Sequence, residues 1–440
     1  MNRPTLPTDG IPTTRAGSGN PKSGIRDPKS AAGKARASIL WAVAMISVAL
    51  AGCDGVRQPP DEVAPLQEKS LAAAGLQVYW ELGATDLPLE GGETLSALYR
   101  VGEMVYCLTS RNRLIAVDAD TGVIRWAAVV ASPLERVFRP SHVRGVSLAE
   151  KVPSPGEIMK PTASPLPAFD AVVINSSSQV VVIDRKTGRV VRRIALDMAA
   201  NCAGATDGTY FYGGTGQGLF FAVSLEQALR SWTASTGDGI AAPLECSGGY
   251  LYVASRDGTI RAVKGGRSED TRKRVLGGPV TAAFYVDNRV CVVPCEDHLL
   301  YSFSADLGQR VWDQPFVCGG PLRTPVQVGE RTVYQRAQGD KFYAISLASG
   351  RQRWTLPTGQ QVLAVIGSDV HVRDTQGGLL VVDEVTGAVK KSASLAGLDL
   401  FVGNATDPSI WAGRKDGRVL CLRPLSAGRL SAETLRKTQK

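Results

Sequence analysis

Three kinds of side chain in this chain could carry chemistry: eight cysteines, three histidines and a recurring aspartate. Apart from Cys53, the cysteines are Cys107, Cys202, Cys246, Cys291, Cys295, Cys318 and Cys421. Most lie in apolar, strand-like runs, where a buried free thiol behaves as a small hydrophobe. In an exported protein they could also pair, with one left over, and Cys291 and Cys295 could bridge locally. Connectivity stays open. The run Cys291–Cys295 has three intervening residues and is followed by Glu296, so it is not a haem-attachment motif. His142, His298 and His371 stand far apart, without the His-x-His or His-Glu-x-x-His spacing of a zinc site. Asp118, Asp184 and Asp383 occupy one position of a repeat, which argues for turn-stabilising side chains over a catalytic acid. No nucleophile elbow or phosphate loop stands out.

Cys53 is different because of what precedes it. Residues 1–36 are polar, basic and rich in Pro, Gly and Ser, and 37–52 form an uncharged apolar run ending in "LAG". That run is short for a membrane span, which needs roughly 20 apolar residues, but suits a signal h-region. "LAGC" resembles the bacterial lipoprotein signal, in which the cysteine is acylated and becomes the mature N-terminus. Residues 1–52 are therefore read as a lipoprotein signal with a long basic n-region, and 53–75 as a flexible tether. The expected location is the cell envelope, membrane-anchored and facing the periplasm, with outer or inner membrane left open.

The net charge is +9, but residues 1–52 hold seven Lys/Arg against two acids, so the remainder is only mildly basic. Without a basic stripe interleaved with aromatics, nucleic acid is not an expected partner. An apolar content of 44% with 21% charged residues predicts a globular core.

The elements around these residues repeat. "LIAVDADTGVIRW" (114–126) reads as a strand, a Thr121-Gly122 turn and a second strand. Taking Val117 as anchor, equivalents fall at Ile183, Val223, Val263, Phe303, Ile345, Val382 and Leu422, mostly about 40 residues apart. Such a period marks a propeller or another repeat array. Gly122, Gly188, Gly308, Gly350 and Gly387 recur five residues after the anchor. Trp126, Trp232, Trp312 and Trp354 recur nine after it, where Arg192, Arg272 and Lys391 stand in other copies. These tryptophans are assigned to packing between repeats. Four short strands per unit and no capped amphipathic helix predict an all-β, eight-bladed β-propeller of four-stranded antiparallel blades over 76–425. "LQVYWELG", with Trp80 at the spacing of a blade-ending tryptophan, should complete the last blade, so that strands from both termini close the ring.

One step is long. Residues 131–168 read as an insertion with Pro133, Pro140, Pro153, Pro155, Pro161, Pro165 and Pro167, and with Arg136, Arg139, Arg144, Lys151 and Lys160. It is either a partner-contacting loop or a solvated insertion. Residues 426–440 read as a frayed basic tail.

"LIAVDADTGVIRW" and "FYAISLASGRQRW" resemble the PQQ-like (quinoprotein-type) repeat, over most of 76–425. Two groups share that propeller: the pyrroloquinoline quinone dehydrogenases, and BamB-type lipoproteins of outer-membrane β-barrel assembly. The dehydrogenases carry an adjacent Cys-Cys pair, a catalytic Asp and Ca²⁺ ligands. Here no two cysteines are adjacent. The resemblance therefore implies a non-enzymatic, lipid-anchored scaffold with no cofactor, docking envelope proteins such as a BamA-like barrel-assembly protein. A quinone-dependent or ligand-sensing propeller and a generic envelope adaptor are the alternatives.

Overall fold

The computed structural model describes residues 68–148 and 167–430. A short helix, α1 (Glu68–Ala73), precedes strand β1 (Leu76–Leu82). Then come eight four-stranded antiparallel sheets arranged as a ring, an eight-bladed propeller. Blade 1 is β2 (Leu95–Val101), β3 (Met104–Thr109), β4 (Arg113–Asp118) and β5 (Ile124–Val129), counted from the inner strand outwards. Blade 2 is β6 (Ser141–Val146), β7 (Phe169–Asn175), β8 (Gln179–Asp184) and β9 (Val190–Ala195). Blades 3 to 7 span 205–235, 245–275, 285–317, 327–356 and 359–394.

Blade 8 takes its inner three strands from 400–424 and its outer strand from β1, which pairs with Val419–Pro424 from Leu76↔Pro424 to Leu82↔Val419. Strands from both ends thus close the ring, and no blade interface is left open to pair with another chain. The apolar residues form eight clusters, each holding side chains of two neighbouring blades. Both faces of the middle strands are buried, as β3 and β4 show, so these strands read as continuous apolar runs in sequence.

Three expectations about boundaries need correction. The stretch read as tether already contains α1, whose Leu71 is buried among Leu363, Leu395 and Leu420 between blades 7 and 8. At the other end, the backbone N–H of Leu430 donates to Tyr79 O (3.0 Å), so packed chain runs past 425. Third, residues 131–168 are not insertion throughout. Of these, Ser141–Val146 are the inner strand of blade 2, paired with β7 from Ser141↔Val173 to Val146↔Phe169. The extra length sits within blade 2, between β6 and β7. Residues 149–166 of it, the signal segment with Cys53, and 431–440 lie outside the described residues.

Candidate docking surface

The repeated turns are held by aspartate side chains. In the 118–123 turn, Asp118 Oδ1 accepts from Thr121 N (3.0 Å), from Thr121 Oγ1 (2.8 Å) and from Asp120 N (3.2 Å). Asp184 Oδ1 accepts from the N–H groups of Lys186 and Thr187, and Asp383 Oδ1 from those of Val385 and Thr386. These are Asx-type turns. The hydrogen bonds to Arg125 and Thr121 hold the Asp118 carboxyl below its ordinary range against the opposing effect of partial burial.

The turn glycine meets the tryptophan of the preceding blade. Gly122, Gly188, Gly350 and Gly387 have φ between +69° and +74°, and a Cβ on each would stand 2.4–2.8 Å from the ring or Cβ of Trp80, Trp126, Trp312 or Trp354. Each indole N–H donates to a carbonyl of the same turn: Ala119, Arg185, Leu347 and Glu384, at 2.8–3.0 Å. Gly308 does not share this role. In its turn Leu307 holds the left-handed conformation (φ 58°) and is fully buried between blades 4 and 5. Trp232 does not share it either. Its ring packs on Tyr212 and Phe220 of its own blade, and its N–H finds no partner among the described residues. Where Ala228 replaces the turn glycine, Arg192 stands in the tryptophan position and donates to Leu225 O (3.0 Å) and to Glu226 O. Arg274, two residues beyond Arg272, does the same for Leu307 O (2.7 Å). Lys391 is exposed. At its interface the buried contact comes from α1, and Ser70 Oγ accepts from Ser394 N (3.0 Å).

The histidines and cysteines are dispersed. His142 Nε2 and Tyr106 Oη share a 2.6 Å hydrogen bond, His298 sits at a hairpin tip with φ 72°, and His371 is buried in blade 7. All seven described cysteines are free thiols, six of them buried. Burial pushes Cys107, Cys295 and Cys318 up to about 12, so they stay protonated and unreactive at neutral pH. Among the described residues no His, Cys, Asp or Glu side chains cluster as metal ligands.

The first half of the predicted insertion is instead a built turn. Between blades 1 and 2, Glu135 N donates to Ser132 O (3.0 Å). Asn112, at the hairpin tip of blade 1, donates from Nδ2 to both Ser132 O (2.6 Å) and Glu135 O (2.8 Å). Its φ of 58° is a conformation that asparagine tolerates better than most residues. From the other side, Glu135 Oε2 accepts from Ser176 Oγ (2.5 Å) and Ser178 Oγ (2.6 Å) at the hairpin tip of blade 2. These two bonds hold the Glu135 carboxyl below its ordinary range. Phe138 N donates to Asn175 O (3.0 Å), and Val137 bridges Ser176.

Pinned by both blades, the turn presents Leu134 at 98% exposure, with Pro133 and Arg136 also exposed and Val129 at 53% nearby. The Arg136 guanidinium lies over Phe138. Arg193 donates to Val130 O (3.2 Å), and Arg139 pairs with Glu245 on the inner strand of blade 4. Burial pushes the Glu245 carboxyl up, opposed by that pairing. The arrangement offers a fixed, exposed apolar side chain of the kind protein interfaces use as an anchor. Sequence reasoning missed it because Asn112, Glu135 and Ser176 meet only in space.

Comparison with known proteins agrees with this architecture. The family model described as "Outer membrane protein assembly factor BamB" matches residues 77–203 and 263–437. The chain belongs to this PQQ-like, BamB family. Among solved structures, it is similar to BamB from Moraxella catarrhalis, at 12% identity and a TM-score of 0.57 over 79% of this chain and 99% of that one. It is likewise similar to the computationally designed Ika8 protein, at 14% identity and a TM-score of 0.52 over 75% and 96%. At such identities these likenesses concern the fold. No curated protein matches. Between the two BamB-family segments, 204–262 covers blade 3 and most of blade 4, where Trp232 and Ala228 depart from the tryptophan–glycine pattern.

Proposed function

We propose that this BamB-family propeller is a non-enzymatic, lipid-anchored envelope scaffold that docks other proteins. Its role would be BamB-like, in outer-membrane β-barrel assembly, with a BamA-like barrel-assembly protein among its partners. Cys53 would carry the lipid and hold the propeller on the periplasmic side of a membrane. The observation that carries the reading is Leu134: an almost fully exposed leucine on a turn held by Asn112 and Glu135. A pre-ordered apolar anchor loses little conformational freedom on binding, so more of its contact energy appears as affinity.

The test is co-purification from detergent-solubilised membranes with the wild-type chain and with Leu134→Asp. Barrel-assembly proteins should accompany the wild type and be depleted with the variant. If a deletion strain keeps normal levels of outer-membrane barrels and no assembly protein co-purifies, the assembly role falls. Dye-linked alcohol or sugar oxidation after loading with pyrroloquinoline quinone and Ca²⁺ would instead favour a quinone enzyme.

A further inference from the structure

The outer rim where blades 7 and 8 meet carries a recess of about 320 Å³. Its apolar lining comes from Leu71 and Ala72 of α1, Leu76 and Val78 of β1, and Leu425. Ala72 is exposed and Leu425 is 51% exposed, so part of this lining is open to contact from outside. Leu425 opens a single 3₁₀ turn, Leu425–Ala427, that is tied to the strand beside it. Its N–H donates to Gly75 O (3.0 Å), and Gln77 Nε2 donates to Leu425 O (3.1 Å) and Gly428 O (2.8 Å). The exposed leucine is therefore held in place before any contact is made.

Cations surround it. Lys69 and Arg429 line the same recess, and Lys391 Nζ stands 3.7 Å from where a Cβ on Gly75 would be. All three are exposed, and none has an ion-pair partner among the described residues. Glu68 is the one acid among the lining residues. An exposed apolar side chain within an excess of positive charge matches a bilayer with anionic headgroups. Phosphate oxygens accept from the ammonium and guanidinium groups, and the leucine enters the acyl boundary. The chain itself brings a membrane within reach. Glu68, at the recess, lies fifteen residues after Cys53, a span of at most about 50 Å.

We propose that this rim is a membrane-contact surface, on which anionic phospholipid headgroups pair with Lys69, Lys391 and Arg429 while Leu425 enters the bilayer. It rests on the reading that the N-terminal segment holds the chain at a membrane. It is separate from the Leu134 turn, which lies between blades 1 and 2.

The experiment reconstitutes the full chain, purified from membranes, into vesicles of phosphatidylcholine alone or mixed with phosphatidylglycerol. An environment-sensitive fluorophore is attached at Leu425→Cys, or at Thr233→Cys on the exposed outer strand of blade 3 as the control. The unsubstituted chain serves as the labelling blank. Nitroxide phospholipids should quench the label at Leu425→Cys about twofold or more in the phosphatidylglycerol vesicles, less in phosphatidylcholine alone, and not at Thr233→Cys. Lys69→Glu combined with Arg429→Glu should remove most of that quenching, and added salt should reduce it. Palmitate labelling of the same samples scores the anchor separately. Quenching without palmitate keeps the contact and drops the lipid, and palmitate without quenching does the reverse. Equal quenching at the two positions, or quenching undiminished by the charge reversal, would overturn the assignment. So would a blue-shifted but unquenched label at Leu425→Cys, which would give the recess to a protein segment instead.

Discussion

The indole of Trp80 lies against Gly122, with Cδ2 and Cε3 2.8 Å from where a Cβ on that glycine would stand. Trp80 belongs to the N-terminal strand that completes blade 8, and Gly122 to the turn of blade 1, so this contact lies where the ring closes. Gly122 also has φ 73°. Gly122→Ala should therefore add backbone strain to overpacking and destabilise the fold by roughly 2–4 kcal/mol. Gly308→Ala serves as the contrast: φ there is not positive, and the atoms nearest the new Cβ belong to the Asp306 carboxylate, the end of an exposed side chain. Its cost should stay under about 1 kcal/mol. Urea unfolding of both variants checks this, and equal losses would show that the glycine–tryptophan contact has no special weight.

The same contact explains an exception. Each of the four positive-φ turn glycines faces a tryptophan, whereas Ala228, carrying a Cβ, faces Arg192. Arg192→Trp alone should clash and cost about 1–3 kcal/mol. Combined with Ala228→Gly it should recover most of that loss, because the indole N–H can then donate to Leu225 O as Trp126 does to Arg185 O. A double-mutant cycle reads the coupling directly, and an interaction energy below about 0.5 kcal/mol would refute it.

One half-buried and one buried histidine predict acid sensitivity. His142 and His371 are each held down to about 4, mainly by burial, with the Arg185 charge adding to the effect at His142. In the unfolded chain they titrate near 6.5. Between those values the unfolded state binds more protons, so stability rises with pH and is lost as pH falls from about 6.5 towards 4. The loss should be on the order of 2 kcal/mol per histidine. His371→Leu should flatten the urea-midpoint profile over that window, and a slope identical to wild type would rule the histidine out.

Leu134→Asp should leave stability within about 0.5 kcal/mol of wild type, since the side chain is exposed. Asn112→Ala should cost about 1–3 kcal/mol, because the Ser132 and Glu135 carbonyls both lose a donor. Both should reduce partner recovery. Should Leu134→Asp recover partners as well as wild type, docking would have to be sought on another surface.

Lipid attachment predicts that Cys53→Ser abolishes incorporation of labelled palmitate and releases the protein from membranes. Membrane retention without label would instead point to an uncleaved apolar anchor over 37–52.

The sequence by itself determined the blade count, the strand order and the closing of the ring. These follow from a period near 40, strand-length apolar runs and the spacing of Trp80 to Val117, all carried along the chain. The glycine and tryptophan columns were visible for the same reason, although their contact crosses from one blade to the next. What the tertiary structure alone decided lies where partners are distant or the repeat is imperfect. Ser141–Val146 looked like insertion because its alternation is weak, and only pairing with β7 makes it a strand. Glu68–Ala73 is too short to show a helical period, and its place is set by the gap between blades 7 and 8 that Leu71 fills. Leu307 takes the left-handed position beside Gly308 because the interface between blades 4 and 5 accepts an apolar side chain there. The Leu134 turn likewise depends on groups from separate hairpins, brought together by the packing of neighbouring blades rather than by any local pattern of residues.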